Sequence, residues 1–316
     1  MKYLLIFFTL AASTLVYSQD AKVVLTQGHT DQINSIDVSP NERWMASGSN
    51  NKIVKIWDIP SSREFTTLGP NDGRINTLKF TPDNKLIAAL INHGTIKVWD
   101  FVTNELVVEV PAESNANGIE FSDDSKWMYY LNEDGYATRV KLQNESQGEV
   151  LSDQYAYHLN KIPNTNKLTL LDHKGKLHIL DIETKEKNTL TLFDEFNFPF
   201  CASKISPSGK YFYSGFNDDN VHIFDLSTGK KKWSIPVSSK IQGVHFDEEN
   251  KLVYITVHGK KLQIFNLETE TFKTLEENET FSPTHFKVFH DNEILATVHM
   301  KEIIFYNLKD LQPIKK

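Results

Sequence analysis

The feature that most constrains the fold is a unit that recurs seven times, at intervals of 41 to 43 residues. In each unit a large apolar residue, five turn-forming residues and a second apolar residue follow one another. The seven pairs are Val38/Trp44, Phe80/Leu86, Phe121/Trp127, Ile162/Leu168, Ile205/Tyr211, Phe246/Leu252 and Val288/Ile294. A period of this length is typical of repeat architectures. Such folds mostly present surfaces, so the period favours binding over catalysis.

Each unit predicts four short antiparallel strands, which we call a, b, c and d in chain order. Polar inserts such as SPNER and TPDNK separate strand a from strand b. A third apolar or aromatic residue lies 12 or 13 residues after the second, as Trp57 does after Trp44, and marks strand c. Segments such as 64–68 and 106–110 have the composition of strand d.

The ends of the chain predict how the repeats close. A four-stranded sheet with two apolar faces cannot bury both alone, whereas sheets packed radially around an axis bury them against each other. Strands a to c occur seven times, and segment 22–26 is a strand before the first unit with no other partner. We therefore expect residues 19–316 to form one all-β, seven-bladed β-propeller, closed by the N-terminal strand pairing into the last blade.

Several motifs resemble the signature of the WD-repeat (Trp-Asp repeat) β-propeller family. The second unit keeps Lys97-Val98-Trp99-Asp100, and later units degrade, for example to Ile223-Phe224-Asp225. The resemblance covers residues 22–307. In the first unit it rests on Gly28-His29-Thr30-Asp31, Val38-Ser39-Pro40, Ala46-Ser47-Gly48-Ser49 and Lys55-Ile56-Trp57-Asp58.

The resemblance implies a buried, hydrogen-bonded set of His, Ser or Thr, Asp and Trp in each blade. Blade 1 supplies His29, Ser47 and Trp57, but Asn51 occupies the Asp position. Blade 5 has Phe224 where the family has Trp. Because most blades lack the full set, we expect apolar packing to hold them. The structural residues that the resemblance implies are His29, Ser47, Trp57, Asp58, Trp99, Asp100, Asp181, Ser214, Asp218 and Asp225.

Residues 1–18 have the form of a secretory signal peptide. Lys2 gives a positive start, the stretch from Tyr3 to Val16 is mostly apolar, and Ser18 is a small residue at the expected cleavage position. This stretch is shorter than the ~20 residues that span a bilayer. We expect an exported protein, periplasmic or secreted, without a membrane span after removal of the signal. The alternative is an uncleaved anchor.

Charge and cysteine content limit the kinds of partner and of covalent cross-link that we expect. The net charge of −7 and the lack of a dense basic run beyond Lys230-Lys231-Lys232 argue against nucleic-acid binding. Cys201 is the single cysteine, so no internal disulfide forms. We expect a chain that is monomeric by itself and binds a protein or peptide.

Candidate contact residues fall at one end of the predicted propeller, where antiparallel order brings together the b–c turns and the d–a loops. Four b–c turns contain a histidine: His93, His173, His258 and His299. A rim of imidazoles suits a metal site or a pH-dependent partner surface. The alternative is that histidine simply tolerates turn conformations. No carboxylate or cysteine at matching spacing completes a ligand set, so we expect no metal and no cofactor.

Aromatic residues in the d–a loops of the same end are the other candidates. Tyr155, Phe196 and Phe198 precede strand a of blades 4 and 5. Exposed aromatics on adjacent blades would mark a binding site, because such residues dominate the energetics of interfaces. The alternative is that the loops fold down and bury these rings.

The sequence contains no nucleophile with an orienting base, and no P-loop, G-x-S-x-G or H-E-x-x-H motif. It therefore predicts a non-enzymatic interaction or scaffold module. Its partner would bind the face that carries the b–c and d–a loops. The alternative is a propeller hydrolase or lyase of the lactonase type, with a cation in the axial pocket. The predicted contacts are Tyr155, His173, Phe196, Phe198, His258 and His299.

Overall fold

The structure of the chain is a computed structural model. It describes residues 23–25, 28–92, 94–113, 118–143, 148–193, 203–274, 285–289, 291 and 293–308. These residues form seven four-stranded sheets in which strands that follow one another in the chain pair antiparallel. The predicted seven-bladed, all-β propeller is confirmed.

The first strand and the first three blades occupy residues 23–155. The strands are β1 (Val23–Leu25); β2 (Ile33–Val38), β3 (Trp44–Ser49), β4 (Val54–Asp58) and β5 (Arg63–Leu68) in blade 1; β6 (Ile75–Phe80), β7 (Leu86–Ile91), β8 (Thr95–Asp100) and β9 (Glu105–Pro111) in blade 2; and β10 (Glu120–Phe121), β11 (Trp127–Leu131), β12 (Tyr136–Lys141) and β13 (Glu149–Tyr155) in blade 3.

The last four blades occupy residues 158–307. The strands are β14 (His158–Lys161), β15 (Lys167–Leu171), β16 (Lys176–Asp181) and β17 (Lys187–Thr191) in blade 4; β18 (Lys204–Ile205), β19 (Tyr211–Gly215), β20 (Asn220–Asp225) and β21 (Lys231–Pro236) in blade 5; β22 (Ile241–Asp247), β23 (Leu252–Val257), β24 (Gln263–Asn266) and β25 (Thr271–Thr274) in blade 6; and β26 (His285–Phe289), β27 (Ile294–His299) and β28 (Glu302–Asn307) in blade 7.

Blade 7 combines strands from both ends of the described chain. Its sheet order is β1, β28, β27, β26. Val23 lies opposite Phe305, and Leu25 lies opposite Ile303. The first strand therefore supplies strand d of the last blade.

The apolar core consists of seven layers, each shared by two adjacent blades. Side chains alternate across a strand, so neighbouring residues face different layers. On β3, Met45 packs with Val298 and Phe305 of blade 7, whereas Ala46 packs with Ile75 of blade 2. The other five layers join blades 2 and 3, 3 and 4, 4 and 5, 5 and 6, and 6 and 7. Each blade therefore buries its faces only against its neighbours.

Two glycines allow the blades to approach closely. Gly48 on β3 faces Ile75 of the next blade, and a Cβ at Gly48 would lie 2.7 Å from the Cβ of Ile75. Gly215 holds the same position in blade 5, where a Cβ would lie 2.7 Å from methyl carbons of Ile241. A larger residue at either position would push strand a of the next blade outward.

Strand a carries an ionisable side chain at one register position in all seven blades. The position directly precedes the first apolar residue of each repeat, and we call its seven residues the axial belt, because strands a of neighbouring blades contact one another around the axis. The belt consists of Asp37, Lys79, Glu120, Lys161, Lys204, His245 and Lys287.

Ion pairs of the belt join neighbouring blades. Lys287 Nζ lies 2.6 Å from Asp37 Oδ1, and Lys79 Nζ lies 3.3 Å from Glu120 Oε2. Asp37 Oδ2 also accepts the backbone N–H of Phe80 at 2.9 Å. The pKa of Lys79 is raised, mainly because its ammonium group is attracted to Glu120. Burial acts in the opposite direction, and the charge of Asp37 adds to the increase. The belt thus links blades 7, 1, 2 and 3 by polar contacts inside the ring of apolar layers.

Asp37→Ala should destabilise the protein by about 2–4 kcal/mol, because it removes a buried carboxylate that accepts from two neighbouring blades. Chemical denaturation monitored by tryptophan fluorescence measures the change. The control is Asp153→Ala, at an exposed position on β13. Equal stability of the two variants would show that the belt contributes nothing to stability.

Candidate functional site

The face that carries the b–c turns and the d–a loops, which we call the upper face, is built by one repeated backbone hydrogen bond. In five blades, the N–H of a residue that follows strand d donates to a carbonyl in the b–c turn of the same blade, at 2.8 to 3.3 Å. The pairs are Asn71 with Lys52, Ala112 with Gly94, Ala156 with Gly135, Leu192 with Gly175, and Val237 with Asp219. This bond holds the start of each d–a loop beside the b–c turn of its own blade.

Three of the predicted contact residues lie on the upper face. His173 and His258 are exposed in the b–c turns of blades 4 and 6. Tyr155 is half-buried at the end of β13, where its ring lies against Gly135 and 5.0 Å from the ring of Tyr157. Burial, with a smaller effect of the hydrogen bond to Tyr157, raises the pKa of Tyr155 to about 12. These residues occupy different blades and form no single pocket-like cluster by themselves.

The prediction that His299 is an exposed contact is wrong. His299 is the last residue of β27 and only 6% exposed, and its Nε2 lies 2.8 Å from Thr297 Oγ1. Blade 7 joins β27 to β28 through only Met300 and Lys301, so His299 belongs to a strand rather than to a turn. His93, Phe196 and Phe198 lie outside the described residues.

The structure brings together the hydrogen-bonded set that the resemblance implies for blade 1. Trp57 Nε1 donates to Ser47 Oγ at 2.8 Å, and Ser47 Oγ lies 2.8 Å from His29 Nε2. On the other side of the ring, His29 Nδ1 lies 3.2 Å from Asn51 Oδ1. Asn51 therefore takes the position of the family's Asp, and the neutral imidazole donates from Nδ1 and accepts at Nε2.

The acidic residues that follow the strand c register residue cap the c–d turns. Asp100, Asp181 and Asp225 each accept the backbone N–H groups of the residues two and three positions ahead, at 2.9 to 3.2 Å. Asp58 Oδ2 accepts the N–H of Ser61 at 3.3 Å. Trp99, like Trp57, is buried. These residues hold turns on the face opposite the upper face and are structural.

Blades 4 and 5 contain two His–Asp pairs that sequence reasoning missed; both residues of the blade 4 pair are buried, whereas in blade 5 His222 is buried and Asp218 is exposed. His178 Nε2 lies 3.0 Å from Asp172 Oδ2, and its Nδ1 lies 2.8 Å from Thr189 Oγ1. His222 Nε2 lies 2.7 Å from Asp218 Oδ2, so the partner of Asp218 is a strand c histidine that the resemblance does not predict. Ser214 donates to the carbonyl of Gly215 at 3.3 Å.

A signal for these pairs was present in the repeat. Both histidines stand two residues before the strand c register residue, where blades 1 and 2 have Lys55 and Lys97. An ionisable residue at this partly buried position needs a carboxylate within reach. In blade 1, Lys55 Nζ pairs with Glu64 at 2.6 Å.

In the described part of the chain, no three side chains of His, Cys, Asp or Glu are grouped so that they would hold a metal ion. No helix among the same residues has the length and apolar character needed to cross a bilayer.

The first two blades match WD repeats. Residues 21–58 and 62–100 fit the family model described as "WD domain, G-beta repeat". These are the two units in which the sequence keeps the Trp-Asp pair, and the seven-bladed fold continues the same architecture through the later blades.

Short stretches of the chain are similar to proteins named "Ribosome biogenesis protein BOP1 homolog". Identity is 48% over 46 residues with the Drosophila virilis protein and 44% over 46 residues with that of Drosophila mojavensis. It is 47% over 36 residues with that of Dictyostelium discoideum. The matches cover 15%, 15% and 11% of this chain, and only 6%, 6% and 4% of those proteins.

These matches correct the expectation of export. The similar proteins are named for ribosome biogenesis, and ribosomes are assembled inside cells, so the periplasmic or secreted localisation predicted from residues 1–18 is contradicted. Residues 1–18 themselves lie outside the described residues. An apolar stretch with one leading positive charge is a short pattern, and it did not predict localisation here.

Ser47→Ala should destabilise the protein by about 1–3 kcal/mol, because Ser47 is fully buried and its hydroxyl serves both Trp57 and His29. Thermal and urea unfolding measure the loss. Ser234→Ala on the exposed part of β21 is the control and should change stability little. If the two substitutions have the same effect, the hydrogen-bonded set in blade 1 is not stabilising.

Stability should fall as the pH is lowered from about 6.5 to 4, because burial lowers the pKa of His29, His158 and His285 to about 4. The unfolded chain binds protons at these residues near pH 6.5, whereas the folded chain does not. The free energy of unfolding is therefore highest above pH 6.5. It decreases as the pH falls towards 4, by up to about 3 kcal/mol for each histidine.

Urea unfolding across this pH range tests the titration. Removing one buried titrating group by His158→Gln should flatten the pH dependence. An unchanged slope in His158→Gln would contradict the assignment.

Proposed function

We propose that this chain is a non-enzymatic scaffold that binds a protein or peptide partner on its upper face. The observation that carries the proposal is a seven-bladed propeller whose first two blades match WD repeats and in which five blades hold the d–a loop beside the b–c turn by the same backbone hydrogen bond. Among the described residues, Tyr155, His173 and His258 are the contacts that we propose. Phe196 and Phe198 remain predicted contacts from the sequence.

The similarity to ribosome biogenesis proteins supports a role within a multiprotein assembly inside the cell. Ribosome biogenesis complexes are the partners that we propose first. Because the matched stretches are short, the argument rests mainly on the fold and the upper face. A seven-bladed ring without a second domain in the described residues offers surfaces to several chains at once.

The charge of the axial belt argues against the alternative, a hydrolase or lyase with a cation in the axial pocket. Four of the seven belt residues are lysines and one is a histidine, whereas two are carboxylates. Asp37 and Glu120 already pair with Lys287 and Lys79. Lys161 pairs with Asp123 at 2.7 Å, so three of the four belt lysines have a carboxylate partner, and neither belt carboxylate is left without a lysine partner to hold a further cation.

The His–Asp pair of blade 4 also supports a structural rather than a catalytic role. Asp172 and His178 are both buried, at 5% relative exposure each, and their remaining polar atoms bond within blade 4. A general base must reach a substrate. These groups instead hold a b–c turn against strands c and d.

Tyr155→Ala combined with His173→Ala should weaken partner capture while it leaves the fold intact, because His173 is exposed and Tyr155 lies at the edge of the surface. Affinity capture from native cells, quantified by mass spectrometry, compares this variant with the wild type. The control is Lys85→Ala with Lys126→Ala, two exposed positions in a–b turns on the opposite face. Loss of the same partners in the control variant alone would place the binding surface on the wrong face.

A further inference from the structure

A patch of exposed apolar side chains lies at the outer edge of blades 1 and 2. Phe65 on β5 is 45% exposed, Leu106 on β9 is 49% exposed, and Val102 in the c–d turn of blade 2 is 63% exposed. Single exposed apolar residues are normal on a soluble protein, whereas several together mark a surface that something covers. We call these three residues the outer patch. Its charged neighbours Arg63 and Glu105 are exposed and opposite in sign, so apolar burial rather than charge decides what binds there.

The outer patch lies over a groove between the two blades. The ring centroid of Phe65 lies 4.6 Å from that of Trp44 and 6.4 Å from that of Phe101 in blade 2. Leu106 pairs with Trp99, and paired residues of neighbouring strands share a sheet face. The Leu106 side chain is therefore on the face that packs against blade 1. Phe65 and Leu106 thus come from the two opposite walls of the groove.

The groove is part of the folded ring rather than of a loop. Thr66 Oγ1 donates to Asn104 Oδ1 at 3.0 Å, which joins strand d of blade 1 to the c–d turn of blade 2. Phe101, directly before Val102, is fully buried in the layer that the two blades share. An apolar segment can therefore dock on the patch without a rearrangement of either blade.

The N-terminal segment of the same chain contains an apolar stretch that lies outside the described residues. From Tyr3 to Val16 there is no charged residue, and only Thr9, Ser13 and Thr14 are polar. Because the expectation of export is contradicted, an export role does not account for this stretch. Its apolar side chains gain free energy by leaving water for another apolar surface.

The position of β1 brings this stretch within reach of the outer patch. Blade 7 packs against blade 1, and β1 is its strand d. Strand d leads to the upper face, so Val23 lies at the opposite end of the blade, which is also the end where the outer patch lies. Residues 17–22 reach about 20 Å when extended, which is about the distance across two packed sheets. Val16 can therefore reach the groove.

We propose that residues 3–16 dock on the outer patch of the same chain. A short tether gives the segment an effective concentration in the mM range, so a small apolar contact keeps it bound. A second copy fits less well, because a stable dimer buries about 800 Å² on each partner, whereas the outer patch has three side chains. The docking does not involve the upper face, so its failure leaves the proposed scaffold function intact.

Limited proteolysis of the full chain with chymotrypsin tests the docking, because cleavage within residues 3–16 requires the undocked segment. In the wild type this cleavage should be about tenfold slower than in a variant whose outer patch cannot bind. The fragments are identified by their masses. Protein isolated from its native cells has to contain the segment: a mature chain that begins after Ser18, as a cleaved export signal leaves it, overturns the proposal.

Variants of the patch assign the protection to the groove. Phe65→Asp with Leu106→Asp places two carboxylates in the groove and should speed the cleavage about tenfold. Val102→Asp, at the most exposed of the three positions, should speed it about threefold and keeps the test valid if the double variant does not fold. The control is Val150→Asp with Phe272→Asp, at similarly exposed apolar positions on strand d of blades 3 and 6, and should be cleaved as slowly as the wild type.

Each outcome decides for or against the docking. Equal cleavage rates in the patch variants and in the control overturn the proposal. Protection that increases with protein concentration shows that a second copy covers the patch, and it also overturns the proposal. Slow cleavage of the wild type that is independent of concentration and is lost only in the patch variants supports it.

Discussion

The structure depends on apolar layers that belong to two blades at once. No blade has a core of its own: Met45 and Ala46, adjacent on one strand, are buried against different neighbours. A fully buried Leu or Ile side chain stabilises a fold by about 1.5–3 kcal/mol, so each layer is a large stabilising contribution that exists only when both blades are in place. The ring therefore has to be complete to be stable.

Polar groups supplement the apolar layers where the blades come closest to the axis. Asp37 and Lys287 are 250 residues apart in sequence and pair at 2.6 Å. Away from the axis, three blades use different polar sets: His29, Ser47 and Trp57 in blade 1, His178 with Asp172 in blade 4, and His222 with Asp218 in blade 5. Different residues thus fasten equivalent turns in these blades.

The sequence predicted the architecture well because the alternation of apolar residues repeats with every blade. Val38 and Trp44 end and begin strands in blade 1, the corresponding pairs do the same in blades 2, 3 and 5, and in blades 4, 6 and 7 they lie within one residue of the strand ends. The contacts were harder to predict. The ionisable residue on each strand a is visible in the repeat, but its partners depend on which blades become neighbours. His299 was predicted in a turn, but the turn of blade 7 has only two residues and His299 lies on the strand before it. His222 was missed as the partner of Asp218 because the family pattern has no histidine at this strand c position.

Native-state hydrogen exchange at low denaturant concentration tests most directly whether the blades form one cooperative unit. The shared layers predict that the amides on strand b of all seven blades exchange through one global opening, with the same free energy and the same denaturant dependence. These strands are β3, β7, β11, β15, β19, β23 and β27. If the strands of a single blade open separately at clearly lower free energy while the neighbouring blades stay protected, the layers do not couple the ring and the account is wrong.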